Sequence, residues 1–338
     1  MTYQEVLENA RTCMGSYCKA CLVCNGKACS NQIPGPGAKG NGTVAIRNYD
    51  KWQDVFVNMD TICENGEADT TFEIFGRTYR APIFAAPIGA MKMHYGDKYD
   101  DLEYNNILVP ACADAGIAAF TGDGVNAAVM EGATKAIRAK AGNGIPTVKP
   151  WDVHTLEEKF ALVKESNAFA AAMDIDAAGL PFLKNLTPPA GSKTVEELAE
   201  IIKKAGVPFI LKGVMTVKGA LKAKEAGAAA IVVSNHGGRV QDQCPATAEV
   251  LEEIAQAVGN DMKIFVDGGL RNGVDIFKAL ALGADAVLIG RPYVTAVYGG
   301  GAEGVKAYTE KLTNELKDTM AMCGAHSLSE ISRDMVRA

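Results

Sequence analysis

The chain has 338 residues, 48 % of them hydrophobic, and a formal net charge of −6, which suits one α/β barrel with extensions and argues against a nucleic acid or an anionic membrane as partner. No run approaches the ~18 apolar residues of a spanning helix. The N-terminus MTYQEVLENARTC carries two glutamates and no apolar signal core, so a soluble cytoplasmic protein is the expectation.

In chain order, a short helix over TYQEVLENARTC leads into a cysteine-rich stretch. Five of the nine cysteines (Cys13, Cys18, Cys21, Cys24, Cys29) fall in the first thirty residues, and the other four are scattered. NQIPGPGAKGNG (31–42) reads as a Gly/Pro-rich loop, and TTFEIFGRTYRAP (70–82) as a hairpin turning at Phe75–Gly76. Residues 1–80 are therefore expected to form an N-terminal cap, and residues 81–338 the main domain.

From residue 81 short apolar runs alternate with amphipathic segments. The runs are PIFAAP (82–87), GIAAF (116–120), PTVK (146–149), FAAAMDI (169–175), PFILKG (208–213), AAIVVS (229–234), KIFVDG (263–268) and DAVLIG (285–290). They lack polar alternation, as strands buried on both faces do. TVEELAEIIKKAG (194–206), VKGALKAKEAG (217–227), TAEVLEEIAQAVG (247–259) and GVDIFKALALG (273–283) carry a helical pattern ending in glycine. Eight strand–helix repeats predict a (β/α)8 TIM barrel, with AYTEKLTNELKDTMAMCG and SLSEISRDMV as two C-terminal closing helices.

Chemistry in such barrels sits where strands end. The seventh strand ends in Asp267-Gly268-Gly269-Leu270-Arg271 and the eighth in Gly290-Arg291-Pro292. Two glycine turns, each followed by an arginine, make a phosphate site; the alternative is a pair of tight turns. Lys212, ending the fifth strand, either faces an anionic cofactor such as flavin mononucleotide or pairs with Asp174 or Asp176. The sixth strand ends in SNHGGR (234–239): His236 can take a proton near neutral pH, and Arg239 can grip a carboxylate at two points. His94, His154 and His326 read as ordinary polar or loop residues, although His94, in GAMKMHYGD after the first strand, is placed to reach the mouth of the site.

At these residues the chain resembles the FMN-dependent 2-hydroxy-acid oxidases and dehydrogenases, among them glycolate oxidase, lactate oxidase and the flavocytochrome-type lactate dehydrogenases. The resemblance runs from about residue 81 to 338. It rests on SNHGGR–x2–D and a following proline (234–245), DGGLRNGVDIFKALALGADAVLIGRP (267–292) and TMAMCGAHSLSEISR (319–333). It implies FMN bound in the barrel, with His236 as base, Asp176 orienting it, Arg239 on the substrate carboxylate and Lys212 at the flavin N1 locus. Ser234, Asp267, Gly269, Arg271, Gly290 and Arg291 would hold the ribityl chain and phosphate. Pro87, Ile88 and Gly89 would approach the ring by their backbone, with Thr121 and Thr147 also near the cofactor. A homo-oligomer, tetramer or octamer, is implied as well.

The substrate half departs from that pattern. Thr147 and Lys149 stand where glutamine and tyrosine are usual, which makes Lys149 a candidate substrate contact. Asp174 stands where threonine is common, and DAAGLPFLKNLTPP (176–189) lacks the second carboxylate-binding arginine. Oxidation of a small, L-lactate-like 2-hydroxy acid is the leading reading. An FMN-dependent reductase or isomerase and a flavin–thiol redox sensor are the alternatives.

Cys18-x2-Cys21-x2-Cys24-x4-Cys29 remains outside the resemblance. Its spacing approaches that of ferredoxin loops, with one extra residue, and also suits a zinc site. Lys19 and Lys27 nearby allow thiols of lowered pKa, and plain packing is a further reading. An iron–sulfur cluster near the flavin would direct electrons singly to a carrier protein and not to oxygen.

Overall fold

The computed structural model describes residues 1–180, 183 and 190–338. Helix α1 (Tyr3–Cys13) opens on a capping box, in which Thr2 Oγ1 accepts the Glu5 N–H and the Glu5 carboxylate accepts the Thr2 N–H. An irregular stretch carrying the remaining N-terminal cysteines leads to α2 (Thr43–Gln53) and the short β1 (Phe56–Val57). Strands β2 (Phe72–Ile74) and β3 (Arg77–Tyr79) form the expected hairpin. Phe75 and Gly76 both take positive φ at its turn, which matches the twist of the two strands.

Eight parallel strands then close a barrel in sequence order: β4 (Ile83–Ala85), β5 (Ala118–Thr121), β6 (Ile145–Val148), β7 (Ala171–Asp174), β8 (Phe209–Val214), β9 (Ala230–Val233), β10 (Lys263–Val266) and β11 (Ala286–Ile289). These are the eight apolar runs of the sequence, and β11 pairs back onto β4. The helices around them are α3 (Met91–Tyr95), α4 (Asp101–Asp114), α5 (Ala127–Ala139), α6 (Val153–Ser166), α7 (Val195–Ala205), α8 (Val217–Glu225), α9 (Thr247–Val258), α10 (Gly273–Ala281) and α11 (Arg291–Met322). Local sequence sets their ends. For α7, Thr194 and Glu197 make a reciprocal cap and Gly206 closes the helix in the left-handed conformation.

Strand alternation places the site. Phe84, Ala118, Phe120, Ile145, Ala172, Ile210, Val232, Phe265 and Leu288 fill the barrel interior, and the residues between them face the helices. Phe84, Phe120 and Phe265 meet edge to face, with centroids 5.4–5.9 Å apart. Phe72 and Tyr79 of the hairpin stack edgewise on Phe84 and plug the N-terminal end of the barrel. Two residues onward along the same inward rows come Thr147, Asp174, Lys212, Ser234 and Asp267. The apolar floor of the barrel is thus followed directly by a buried polar layer.

The chain end differs from the expectation of two closing helices. AYTEKLTNELKDTMAM is the last part of the single long α11, which is interrupted at Gly301. SLSEISRDMV instead forms two short 3₁₀ turns, and Val336–Arg337 make strand β12, antiparallel to β1. Serines at 327 and 332 compete for backbone partners, which favours turns over a continuous helix. No described helix is long and apolar enough to cross a membrane.

Candidate active site at the barrel mouth

A cavity of about 430 Å³ opens at the C-terminal ends of the strands. Pro87, Ile88 and Gly89 border it on the β4 side, and Lys149, Lys212 and Asp267 form its floor. Of the other expected residues, His236, Arg239, Gly269, Arg271, Gly290 and Arg291 also line it. Met93, Tyr95, Val125, Val129 and Leu183 add an apolar side. Thr121, Thr147, Ser234 and Asp176 do not line the cavity. The two threonine hydroxyls are buried without a partner, Ser234 Oγ accepts the His236 N–H at 3.1 Å, and Asp176 stands behind the histidine.

His236 Nδ1 lies 3.0 Å from Asp176 Oδ1. With that carboxylate holding the proton on Nδ1, Nε2 is the nitrogen free to accept one. His236 itself has φ 56°, a left-handed conformation that costs a non-glycine residue and persists only where its surroundings enforce it. The enforcement comes from the cap. At Gly238 (φ +82°) a Cβ would fall 2.8 Å from the Ala38 Cβ and 2.9 Å from the Val44 Cβ, so glycine lets α2 and the 31–42 loop seat on the turn that carries His236. Asn48 and Asn235 exchange reciprocal amide hydrogen bonds of 2.7 and 2.9 Å across the same joint.

The 31–42 loop also clamps the arginines. Arg239 Nη1 donates to the Gly35 and Gly37 carbonyls at 2.7 and 3.0 Å, and Arg291 Nε donates to the Pro36 carbonyl at 2.7 Å. Arg271 Nε donates to the Cys24 carbonyl at 2.6 Å. Burial lowers the Arg239 pKa to about 10, with Arg291 adding repulsion, and leaves it cationic at neutral pH.

Of the two readings of His94, an ordinary loop residue or one reaching the mouth of the site, the structure corrects the first and shows the second. It is buried, lines the cavity and sits 3.2 Å from Arg239 Nη2. Its Nδ1 accepts the Gly35 N–H at 2.9 Å. Burial, with the Arg239 charge second, lowers its pKa to about 4, so the ring is neutral and carries its proton on Nε2. Two donors, Nε2–H and Nη2, therefore lie side by side, an arrangement that one anionic oxygen accepting from both would satisfy. In the sequence His94 lies nine residues past β4 with no motif around it, so only its place after the first barrel strand pointed to the mouth.

Lys212 lies 3.3 Å from Asp174 and 3.5 Å from Asp267, so both sequence readings of this lysine meet: it lines the cavity and it is ion-paired. Burial disfavours its charge, but Asp174 and Asp267 outweigh burial and raise its pKa. Burial likewise opposes the Asp174 charge, and Lys149 and Lys212 outweigh it and hold that carboxyl well below the usual range. Lys149 Nζ reaches Asp174 Oδ2 at 2.6 Å, so the two unusual residues at the ends of β6 and β7 form one ion pair. Asp123 anchors the neighbouring loop, accepting from Trp151 Nε1, Lys159 Nζ and the Lys149 N–H. Asp174, Asp176 and His236 alone cluster as metal-ligand types among the described residues, and the flanking ammonium groups make that cluster an ion-pair network. The 176–189 segment, where a second arginine is absent from the sequence, lies largely outside the described residues, at 181–182 and 184–189.

The cysteine region departs from one expectation. Lys19 Nζ is bound to the Ser16 carbonyl, and burial pushes the Cys18 thiol up to about 12, opposite to a lysine-activated thiol.

A family model described as FMN-dependent dehydrogenase matches residues 36–181 and 184–338. The chain belongs to that family. It is 48 % identical over 145 residues to peroxisomal (S)-2-hydroxyacid oxidase GLO3 of Arabidopsis thaliana, spanning 43 % of this chain and 39 % of that protein. It is 42 % identical over 143 residues to L-lactate oxidase of a Roseobacter species, spanning 42 % and 39 %. The match thus covers about two fifths of the length of these curated relatives. A solved mandelate oxidase variant superposes with a TM-score of 0.81 at 25 % identity, over 99 % of this chain and 97 % of that one. A flavocytochrome b2 variant shares the fold, with a TM-score of 0.76 at 22 % identity over 89 % and 80 %.

The cavity fits the FMN that names the family. Asp267 Oδ1 is buried there without a partner and would accept a hydroxyl. Arg271 and Arg291 border its β10–β11 side, where they could meet a phosphate, and Lys212 also lines it. At Gly269 (φ +87°) a Cβ would lie 2.0 Å from the Asn48 carbonyl oxygen, so the turn after β10 tolerates no side chain.

Proposed function

We propose that the protein oxidises a small 2-hydroxy acid of L-lactate-like size to the 2-oxo acid. One observation carries this reading: a single cavity holds a histidine oriented by a carboxylate 3.0 Å away and a half-buried, cationic arginine. FMN, when bound, supplies the acceptor for the two electrons. Arg271, Arg291 and the Gly268–Gly269 and Gly290 turns would hold its phosphate, with Ser234 and Asp267 on the ribityl chain. Lys212 and the Pro87–Gly89 backbone would meet the ring.

The chain's own groups divide the remaining work. Arg239 Nη1 is occupied by the cap carbonyls, which leaves its other nitrogens for the substrate carboxylate. His94 Nε2–H supplies a second donor at that point. It stands in for the arginine that the sequence lacks after β7. His236 Nε2 takes the substrate proton, and Asp176 stabilises the imidazolium that results. Lys149 is held by Asp174 and shapes the wall facing the substrate.

The test is anaerobic mixing of the flavin-loaded protein with L-lactate, glycolate and L-mandelate, following the flavin absorbance. At least one acid bleaches it, and a His236→Asn variant with full flavin content slows bleaching by about 10²–10⁴-fold. Flavin that stays oxidised with every 2-hydroxy acid would defeat the proposal in favour of a reductase or isomerase.

A further inference from the structure

The cysteine motif lies outside the machinery described so far, yet the fold gathers it. Cys18, Cys21, Cys24 and Cys29 come from a stretch without helix or strand, and all four line one small cavity between the N-terminal segment and the start of α11. None forms a disulfide, and all four are partly buried. Cys13 is elsewhere: its thiol bonds to the Tyr298 carbonyl at 3.2 Å. Two partly buried tethers shape the stretch, Arg11 Nε on the Ala20 carbonyl at 3.1 Å and Arg271 Nε on the Cys24 carbonyl at 2.6 Å.

The spread of the sulfurs discriminates between occupants. A single tetrahedral zinc at about 2.3 Å from each thiolate requires sulfurs less than about 4 Å apart. Among the described residues no three of these sulfurs lie within 4.8 Å of one another. A polynuclear cluster binds its thiolates to different irons and so takes sulfurs set wider apart than one zinc does. The C-x2-C-x2-C-x4-C spacing agrees with a cluster-wrapping loop.

The cage also adjoins the flavin cavity. Arg291 lines both, and its Nε is fixed to Pro36, another wall residue of the cysteine cavity. The segment holding the cysteines is thus bonded directly to both arginines on the phosphate side of the barrel mouth.

We propose that Cys18, Cys21, Cys24 and Cys29 bind an iron–sulfur cluster adjoining the flavin cavity, which serves as its one-electron outlet. The binding site stands on the cysteine geometry alone; the outlet role rests on the oxidase reading above. Two electrons enter with each hydroxy acid oxidised and leave singly through the cluster to a one-electron carrier protein. The substrate's protons go to solvent, and each electron reduces one carrier.

The experiment is metal, acid-labile sulfide and FMN analysis of the full chain purified without oxygen. It is paired with electron paramagnetic resonance after dithionite and, separately, after the hydroxy acid that bleaches the flavin. Iron and sulfide in equal amounts, two to about four per chain, and a resonance from the reduced cluster are expected. A Cys21→Ala/Cys24→Ala variant loses the iron and keeps its FMN, whereas Cys13→Ala keeps both. Zinc without sulfide would overturn the site, as would FMN-loaded protein that stays iron-free after anaerobic reconstitution with iron and sulfide. Iron retained by the double variant would overturn it too. A dithionite-reducible cluster that stays oxidised while substrate bleaches the flavin would overturn the outlet alone. Failure of every hydroxy acid to bleach the flavin would count against the oxidase reading and leave the iron result standing.

Discussion

Replacing Asp174 with Asn strands a buried ammonium. Asp174 is 1 % exposed and holds Lys149 at 2.6 Å and Lys212 at 3.3 Å. Lys212 keeps Asp267 at 3.5 Å, but Lys149, only 11 % exposed, loses the carboxylate that neutralises it. Breaking a buried pair from one side costs about 3–5 kcal/mol. The lower end applies here, since Lys149 borders the cavity and can draw on water there. At about 2.1 cal/mol/K per residue over a chain of this length, about 3 kcal/mol lowers Tm by about 4 °C. Removing the ammonium as well, in Lys149→Met/Asp174→Asn, recovers part of the loss and gives a coupling of at least about 1.5 kcal/mol between the two sites. The assay is calorimetric unfolding of the four proteins in the same excess of FMN, since bound cofactor itself shifts Tm. Effects that add to within about 0.5 kcal/mol would refute the claim that these two residues act as one ion pair.

Other consequences are testable with the same protein. Arg239→Met raises KM far more than it lowers flavin content, and Arg239→Lys does not restore it, because an ammonium lacks the two-point geometry; equal KM values for arginine and lysine would remove the carboxylate grip. His94→Ala raises KM for 2-hydroxy acids by about tenfold, as befits one lost hydrogen bond to a charged group, and an unchanged KM would remove His94 from the substrate site. The pH dependence of stability has a defined sign at His94. Its folded pKa of about 4 lies below the free value, so its contribution is complete above about pH 6.5 and is lost as pH falls toward 4, by at most about 1.4 kcal/mol per pH unit. Urea titrations across that window show a shallower slope in His94→Gln. Arg291→Ala weakens FMN binding by about 10–100-fold, measured by flavin fluorescence on reconstitution of the apoprotein.

The sequence by itself determined the barrel and the composition of the site. Eight apolar runs bounded by turn residues are enough, because strands buried on both faces must be apolar and their ends must carry whatever chemistry the barrel has. The polar residues at those ends, from Lys212 through His236 to Arg291, were therefore legible as a list. The serine-rich tail was misread as a helix because short local signals do not show that Val336 finds a strand partner almost 280 positions earlier.

Only the tertiary structure decided how the list is used. Lys149 and Asp174 looked like two separate departures from a family pattern, and alignment of β6 with β7 makes them one ion pair. His94 entered the site through a hydrogen bond to Gly35, and Gly35 and Gly37 hold Arg239 from a loop two hundred residues away. The four cysteines could be counted from the sequence, but their gathering around one cavity beside Arg291 could not. The physical reason is common to all three. Periodicity and turn chemistry act over a few residues and are written locally, whereas ion pairs, caps and ligand cages are satisfied between segments that only the closed chain brings together.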